Sequence, residues 1–124
     1  MSDLVVYGVP FSQPVRAVVW ALLLKKQPFE MKLINPGHSG MGGSRHPDYL
    51  AKNPGGTIPC IEEPHNGFTL GEAHAILTYL AQKHAWSDLY PESLQARGRI
   101  DAYLHYHHRN VRECSMLVAA KVRK

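Results

Sequence analysis

The sequence predicts an α/β fold in which a β-α-β unit, a short helix, two further β segments and another helix are followed by one long helix. Three observations predict it. The run Leu4-Val5-Val6-Tyr7 is apolar and β-rich and is stopped by Gly8 and Pro10, as a buried strand would be. Val15, Val18, Val19 and Leu22 then recur at three- and four-residue spacing behind Pro14, which suits the first turn of a helix that ends near Lys26. Phe29 to Ile34 next alternates apolar and polar residues, so the opening is two parallel strands joined by a helix.

The remaining elements follow in order. Residues 35–45 hold four glycines and one proline with no apolar periodicity, and are expected to form a mobile surface loop. Pro47 to Lys52 suits a short helix. Residues 57–61 and 68–70 are β-like and are joined across Pro64-His65-Asn66-Gly67, where Asn-Gly is a strong hairpin signal. A helix from about Glu72 to His84 carries Ala73, Ile76, Leu77 and Leu80 on one face. Ser93, after Pro91, can cap a long final helix whose apolar stripe runs through Leu94, Ile100, Tyr103, Leu104, His107, Val111, Cys114, Leu117 and Val118. Nothing after it in this sequence covers that stripe. The expected division is therefore residues 1–85 as a small α/β domain, 86–92 as a linker, and 93–124 as the first helix of an incomplete all-helical domain. The stripe should meet a second copy or another protein chain rather than remain exposed on a monomer.

Composition excludes several classes. The chain has 124 residues, 44% apolar and 19% charged, enough to bury a core and unlike a disordered or collagen-like chain. Its net charge is +4, and five of the basic residues fall between Arg109 and Lys124, so no nucleic-acid partner is expected. The longest apolar run contains Arg16 and is too short to cross a bilayer, and Met1-Ser2-Asp3 lacks the basic start of a signal peptide; no membrane insertion is expected. Cys60 and Cys114 form no CxxC pair, which fits a reducing compartment, the cytoplasm or an organelle. His105 and His108 stand three apart on a helix without a carboxylate or cysteine to complete a ligand set, so no metal is expected. Cys60 reads as a buried small residue.

Five segments together resemble a cytosolic glutathione S-transferase, most like the theta class. They are Phe11-Ser12-Gln13-Pro14-Val15-Arg16-Ala17; Asn53-Pro54-Gly55-Gly56-Thr57-Ile58-Pro59; Phe68 through Leu77; Leu89-Tyr90-Pro91; and Leu94 through Ile100 with Tyr106-His107-His108. The resemblance implies a thioredoxin-like domain with a mixed four-stranded sheet, an all-helical second domain, a dimer, and glutathione as co-substrate.

It also implies roles. A thiol with a pKa near ~8.5 is mostly protonated at neutrality, so the site must favour the thiolate. Ser12, at the mouth of the first strand and the start of the first helix, would donate its hydroxyl to the sulfur; the alternative is a serine that merely precedes a helix beginning at proline. Pro59 would be a cis-proline that turns the Ile58 N–H and C=O toward the glutathione backbone, whereas the residues alone also allow a trans proline ending an edge strand. Glu72 and Ala73 would meet the γ-glutamyl end, Glu72 at its ammonium and the helix N–H groups at its carboxylate.

The sequence departs from the family in three places. Ala73 stands where a Ser or Thr is usual, at a loss of about 1.5–3 kcal/mol for one charge-assisted bond. Ser44 and Gly56 stand where a cation would reach the glycine end, with Arg45 and His46 adjacent as substitutes. Arg112 matches an arginine that points toward the sulfur, and reads equally as a solvated basic residue. Two functions follow as expectations: thiolate attack on small electrophiles, or a non-catalytic docking subunit that keeps the fold.

Overall fold

The computed structural model describes residues 2–113. Cys114, Leu117 and Val118 of the expected stripe, and the basic stretch 121–124, lie outside them. The described residues fall into two compact units divided between Leu80 and Ala81.

In the first unit, β1 (Val5–Gly8), α1 (Gln13–Leu24), β2 (Glu30–Leu33), α2 (Pro47–Leu50), β3 (Cys60–Glu63), β4 (Phe68–Gly71) and the larger part of α3 (Ala73–Lys83) follow one another. The four strands form a mixed sheet in the order β2-β1-β3-β4, with β2 parallel to β1 and the other two pairs antiparallel. This is the thioredoxin-like arrangement the resemblance implied. Strand alternation sorts the core into two layers. Val5, Tyr7 and Cys60 face α2, where they cluster with Ile34 and Tyr49. On the opposite face lie buried Val6 and Ile61. There Gly8 lets α1 come so close that a Cβ on it would lie 2.6 Å from Val15 Cγ2, and the Tyr79 hydroxyl of α3 donates to Glu63 of β3.

Several boundaries move for identifiable reasons. Helix α1 ends through a pair of bonds, Lys26 N–H to Leu23 O and Gln27 N–H to Leu22 O, with Lys26 itself at φ +52, so the chain turns without a glycine to announce it. Strand β3 begins at Cys60 rather than residue 57, because Pro59 has no N–H to offer a ladder. The hairpin forms as expected, with Gly67 at φ +73 and Phe68 N–H donating to Asn66 Oδ1 at 2.8 Å. Leu33, alternating with Lys32, is two-thirds exposed because β2 is an edge strand.

The loop of residues 35–45, expected to be mobile, instead closes on itself. Asn35 N–H donates to Gly42 O, Ser44 N–H to Asn35 O, and Gly37 N–H to Ser44 Oγ at 2.7 Å, with Ser44 wholly buried.

In the second unit, the Tyr90 hydroxyl donates to Asp101 at 2.9 Å while the Arg97 guanidinium lies 4.7 Å over the Tyr90 ring and donates to Pro91 O. Ser93 caps α4 (Leu94–Tyr106), none of whose residues is buried; Leu94 is 84% exposed. The expected uninterrupted helix is corrected here. It widens into a π-helical turn at His107–Val111, where the Asn110 side-chain amide donates to Tyr106 O, the acceptor that an α-helix would give to the Asn110 N–H. Among the described residues, no helix is long and apolar enough to cross a membrane.

Candidate functional site

The strand register gathers three of the predicted segments at one end of the sheet. Tyr7 pairs with Cys60, so the turn after β1 lies beside Ile58 and Pro59; Cys60 pairs with Gly71, which brings Glu72 to the same end. Both α1 and α3 begin there, so two helix N-termini contribute positive potential to that end of the sheet.

Ser12 is the N-cap of α1, with extended backbone at φ −73 and ψ 125, and its side chain makes no capping bond. The next residue but one is Pro14, which lacks one of the two N–H groups a capping hydroxyl ordinarily takes. The hydroxyl is thus not engaged in capping the helix. Its backbone is held firmly, with Ser12 N–H bonded to Val9 O at 3.1 Å and Ser12 O accepting from Arg16 N–H at 2.9 Å. The Tyr7 hydroxyl, at the end of β1, is already engaged and donates to Glu62 at 2.6 Å. Burial and the adjoining carboxylate push that phenol well above its usual range, so it stays protonated and engaged.

The Ile58-Pro59 peptide bond is cis, and Pro59 is fully buried while Ile58 is half-buried. Glu72, which caps α3 by accepting from Ile76 N–H, lies at φ +67, a left-handed conformation uncommon for a side chain of this kind. It is exposed, and Ala73 beside it is buried. Nothing in the sequence near Glu72 signals that conformation.

The two positions without a cation are accounted for by packing. Ser44 is inside the closed loop, where a charged side chain would be buried. Gly56 is at φ +63, and a Cβ there would lie 3.2 Å from both Leu50 Cδ2 and Ser44 O. Of the substitutes, Arg45 is exposed, while His46 caps α2 by accepting from Asp48 N–H at 3.2 Å through Nδ1, which leaves Nε2 as its donor.

On the α2 face, Glu62 also accepts from Lys52 at 2.7 Å, and Lys52 followed by Tyr7 holds its carboxyl below the usual range. A cavity of about 140 Å³ opens beside this network, lined by Tyr7, Met41, His46, Tyr49 and Lys52 among others. Burial pushes the Cys60 thiol up to about 11, which leaves it neutral and unreactive.

Two features went unread in the sequence. The motif around Ser12 assigns Arg16 no role, yet its Nη1 reaches back to Phe11 O at 3.1 Å; a cation one turn into a helix beside an N-cap is the available signal. Buried Glu63, which accepts from Tyr79 and Asn66, sits where strand alternation after Ile61 would place an inward side chain. Arg112 stands in the other unit, half-buried, directly after the π-helical turn. Among the described residues no cluster of three or more His, Cys, Asp or Glu could hold a metal ion.

Comparison with known proteins gives a consistent result. A family model described as the glutathione S-transferase N-terminal domain matches residues 6–92. Human glutathione S-transferase theta-1 is 37% identical over 103 residues, covering 82% of this chain and 40% of that protein. Among solved structures, an epsilon-class enzyme of the housefly Musca domestica superposes with a TM-score of 0.77 at 34% identity, covering 86% of this chain and 47% of its own. Human glutathione transferase theta-2, in complex with glutathione and an unknown ligand, superposes at 0.73 with 30% identity, covering 85% and 42%. The chain thus spans less than half the length of each of these relatives.

Proposed function

Because the chain belongs to the glutathione S-transferase family, we propose that it binds glutathione and stabilises the thiolate for attack on small electrophiles. The observation that carries this reading is the Ser12 hydroxyl, which makes no capping bond at the N-terminus of α1. The thiol proton leaves to solvent, the Ser12 O–H donates to the sulfur, and the two converging helix N-termini lower the cost of its negative charge. Sulfur then bonds to the electrophilic carbon as the leaving group departs with its electron pair.

The remaining roles extend the same proposal. Residues 1–85 act as the glutathione-binding domain, residues 86–92 as a linker and residues 93–124 as the first helix of the helical domain. Ile58 pairs with the cysteine backbone of the tripeptide, whose γ-glutamyl ammonium meets Glu72 and whose carboxylate meets the N–H groups at Ala73. Arg45 and the His46 Nε2–H take the glycine carboxylate, and Arg112 adds a positive charge toward the sulfur. The whole protein is proposed to work in a reducing compartment as a homodimer or with another chain covering residues 93–124.

Isothermal titration with glutathione tests the reading: saturable binding is expected, with an ultraviolet thiolate signal growing in below the pH at which free glutathione ionises. Ala73→Ser should tighten binding about tenfold, ~1.4 kcal/mol, by adding one donor at the helix N-terminus. Absence of binding by both proteins would leave the fold as a docking module.

A further inference from the structure

We infer that Arg16 is a positioning residue for Ser12, fixing the direction of its hydroxyl by clamping the peptide in front of it. Val9, Pro10, Phe11 and Ser12 form a β-turn closed by the bond from Ser12 N–H to Val9 O, with proline at its second position. In such a turn the carbonyl of the third residue, here Phe11, points away from the turn and has no partner within it. The Phe11-Ser12 peptide is thus held within the turn only at its N–H edge, by Val9 O, while its carbonyl edge needs a partner from outside, and its orientation sets where the Ser12 Cβ and Oγ point. Arg16 holds both sides of that plane's neighbourhood. Its guanidinium donates to Phe11 O at 3.1 Å and its backbone N–H donates to Ser12 O at 2.9 Å. The first bond is charge-assisted. Phe11 itself is exposed, so packing does not hold the turn in the clamp's place.

The inference rests on the role proposed above for Ser12, and the test separates the two. Bound glutathione is titrated by its thiolate absorbance in the parent, Arg16→Gln, Arg16→Lys, Ser12→Ala and the Ser12→Ala/Arg16→Gln pair. In the parent the bound thiol should ionise at least one unit below the free value of about 8.5. Arg16→Gln should raise the bound thiol by about one unit, a tenfold loss of thiolate near neutrality, while the glutathione Kd moves less than threefold. Arg16→Lys should fall between the two, since an ammonium keeps the charge but not the planar fork. In the double variant, Arg16→Gln should add nothing to Ser12→Ala. A thiol unshifted in Arg16→Gln, a Lys variant equal to the parent, or shifts that add in the double variant would each overturn the positioning role. A second readout needs no ligand and no turnover: amide hydrogen exchange at Ser12 should accelerate about tenfold in folded Arg16→Gln. Unchanged exchange would also overturn the clamp. A parent that fails to lower the thiol's pKa would instead sink the proposed function, while the exchange measurement still judges Arg16.

Discussion

The turn into α1 and the turn into α4 place a serine at the same position with nearly the same backbone, φ −73 and ψ 125 at Ser12 against φ −58 and ψ 123 at Ser93. Ser93 accepts from Ala96 N–H, as a capping serine does, whereas Ser12 makes no such bond. The neighbours differ: Ser93 is followed by Leu94, Gln95 and Ala96, each with an N–H to offer, and Ser12 by a proline two residues on. At α1 the backbone is tied down by Val9 and Arg16 instead, so the hydroxyl is not needed to hold the helix end. One residue type in nearly one conformation thus caps one helix and makes no capping bond at the other.

The largest expected effect would break the comparison if it failed. Ser12→Ala should lower thiol transfer by about a hundredfold, the scale for losing one preorganised donor, while thermal unfolding changes by less than about 0.5 kcal/mol because no cap is lost. A drop in stability with unchanged turnover would make Ser12 an ordinary cap. Next, Gly8→Ala should destabilise the first unit by about 1–3 kcal/mol, since its Cβ would strike Val15 and push the start of α1 off the sheet. Denaturant midpoints measure this, and a neutral outcome would mean that α1 is not seated as closely as described. The smallest effect belongs to the other helix. Ser93→Ala should cost about 1 kcal/mol in chemical denaturation through loss of a cap and leave glutathione affinity unaltered; a change in affinity there would erase the functional contrast between the two serines.

Much of this fold was legible because its signals are local. The alternation at Phe29 to Ile34, the three- and four-residue spacing after Pro14, and Asn66-Gly67 each declare an element within a few residues. The resemblance supplied the cis peptide at Pro59 and the site segments, which the register then brings to one end of the sheet. What was not legible depends on partners distant in sequence or on conformations that the residue type does not advertise. Ser44 looks like one more polar loop residue until Gly37 donates to it across the loop. Lys26 and Glu72 adopt left-handed conformations in which a reader expects glycine. The π-helical turn at His107–Val111 depends on which carbonyl the Asn110 side chain takes, and no periodicity reveals that.

The tight fit around Gly56 also bears on how this protein could change over generations. A lysine at position 56 would need three concessions together: a left-handed backbone with a side chain, displacement of the Leu50 methyl, and retreat of the Ser44 carbonyl. Shortening Leu50 first clears only one of them, and the carbonyl belongs to a loop locked by its own hydrogen bonds. Each single step is a loss before the combination is a gain. Selection for a stronger grip on a carboxylate would therefore find exposed Arg45 and its neighbour His46 long before it found position 56, and the glycine would stand as a closed door in the lineage.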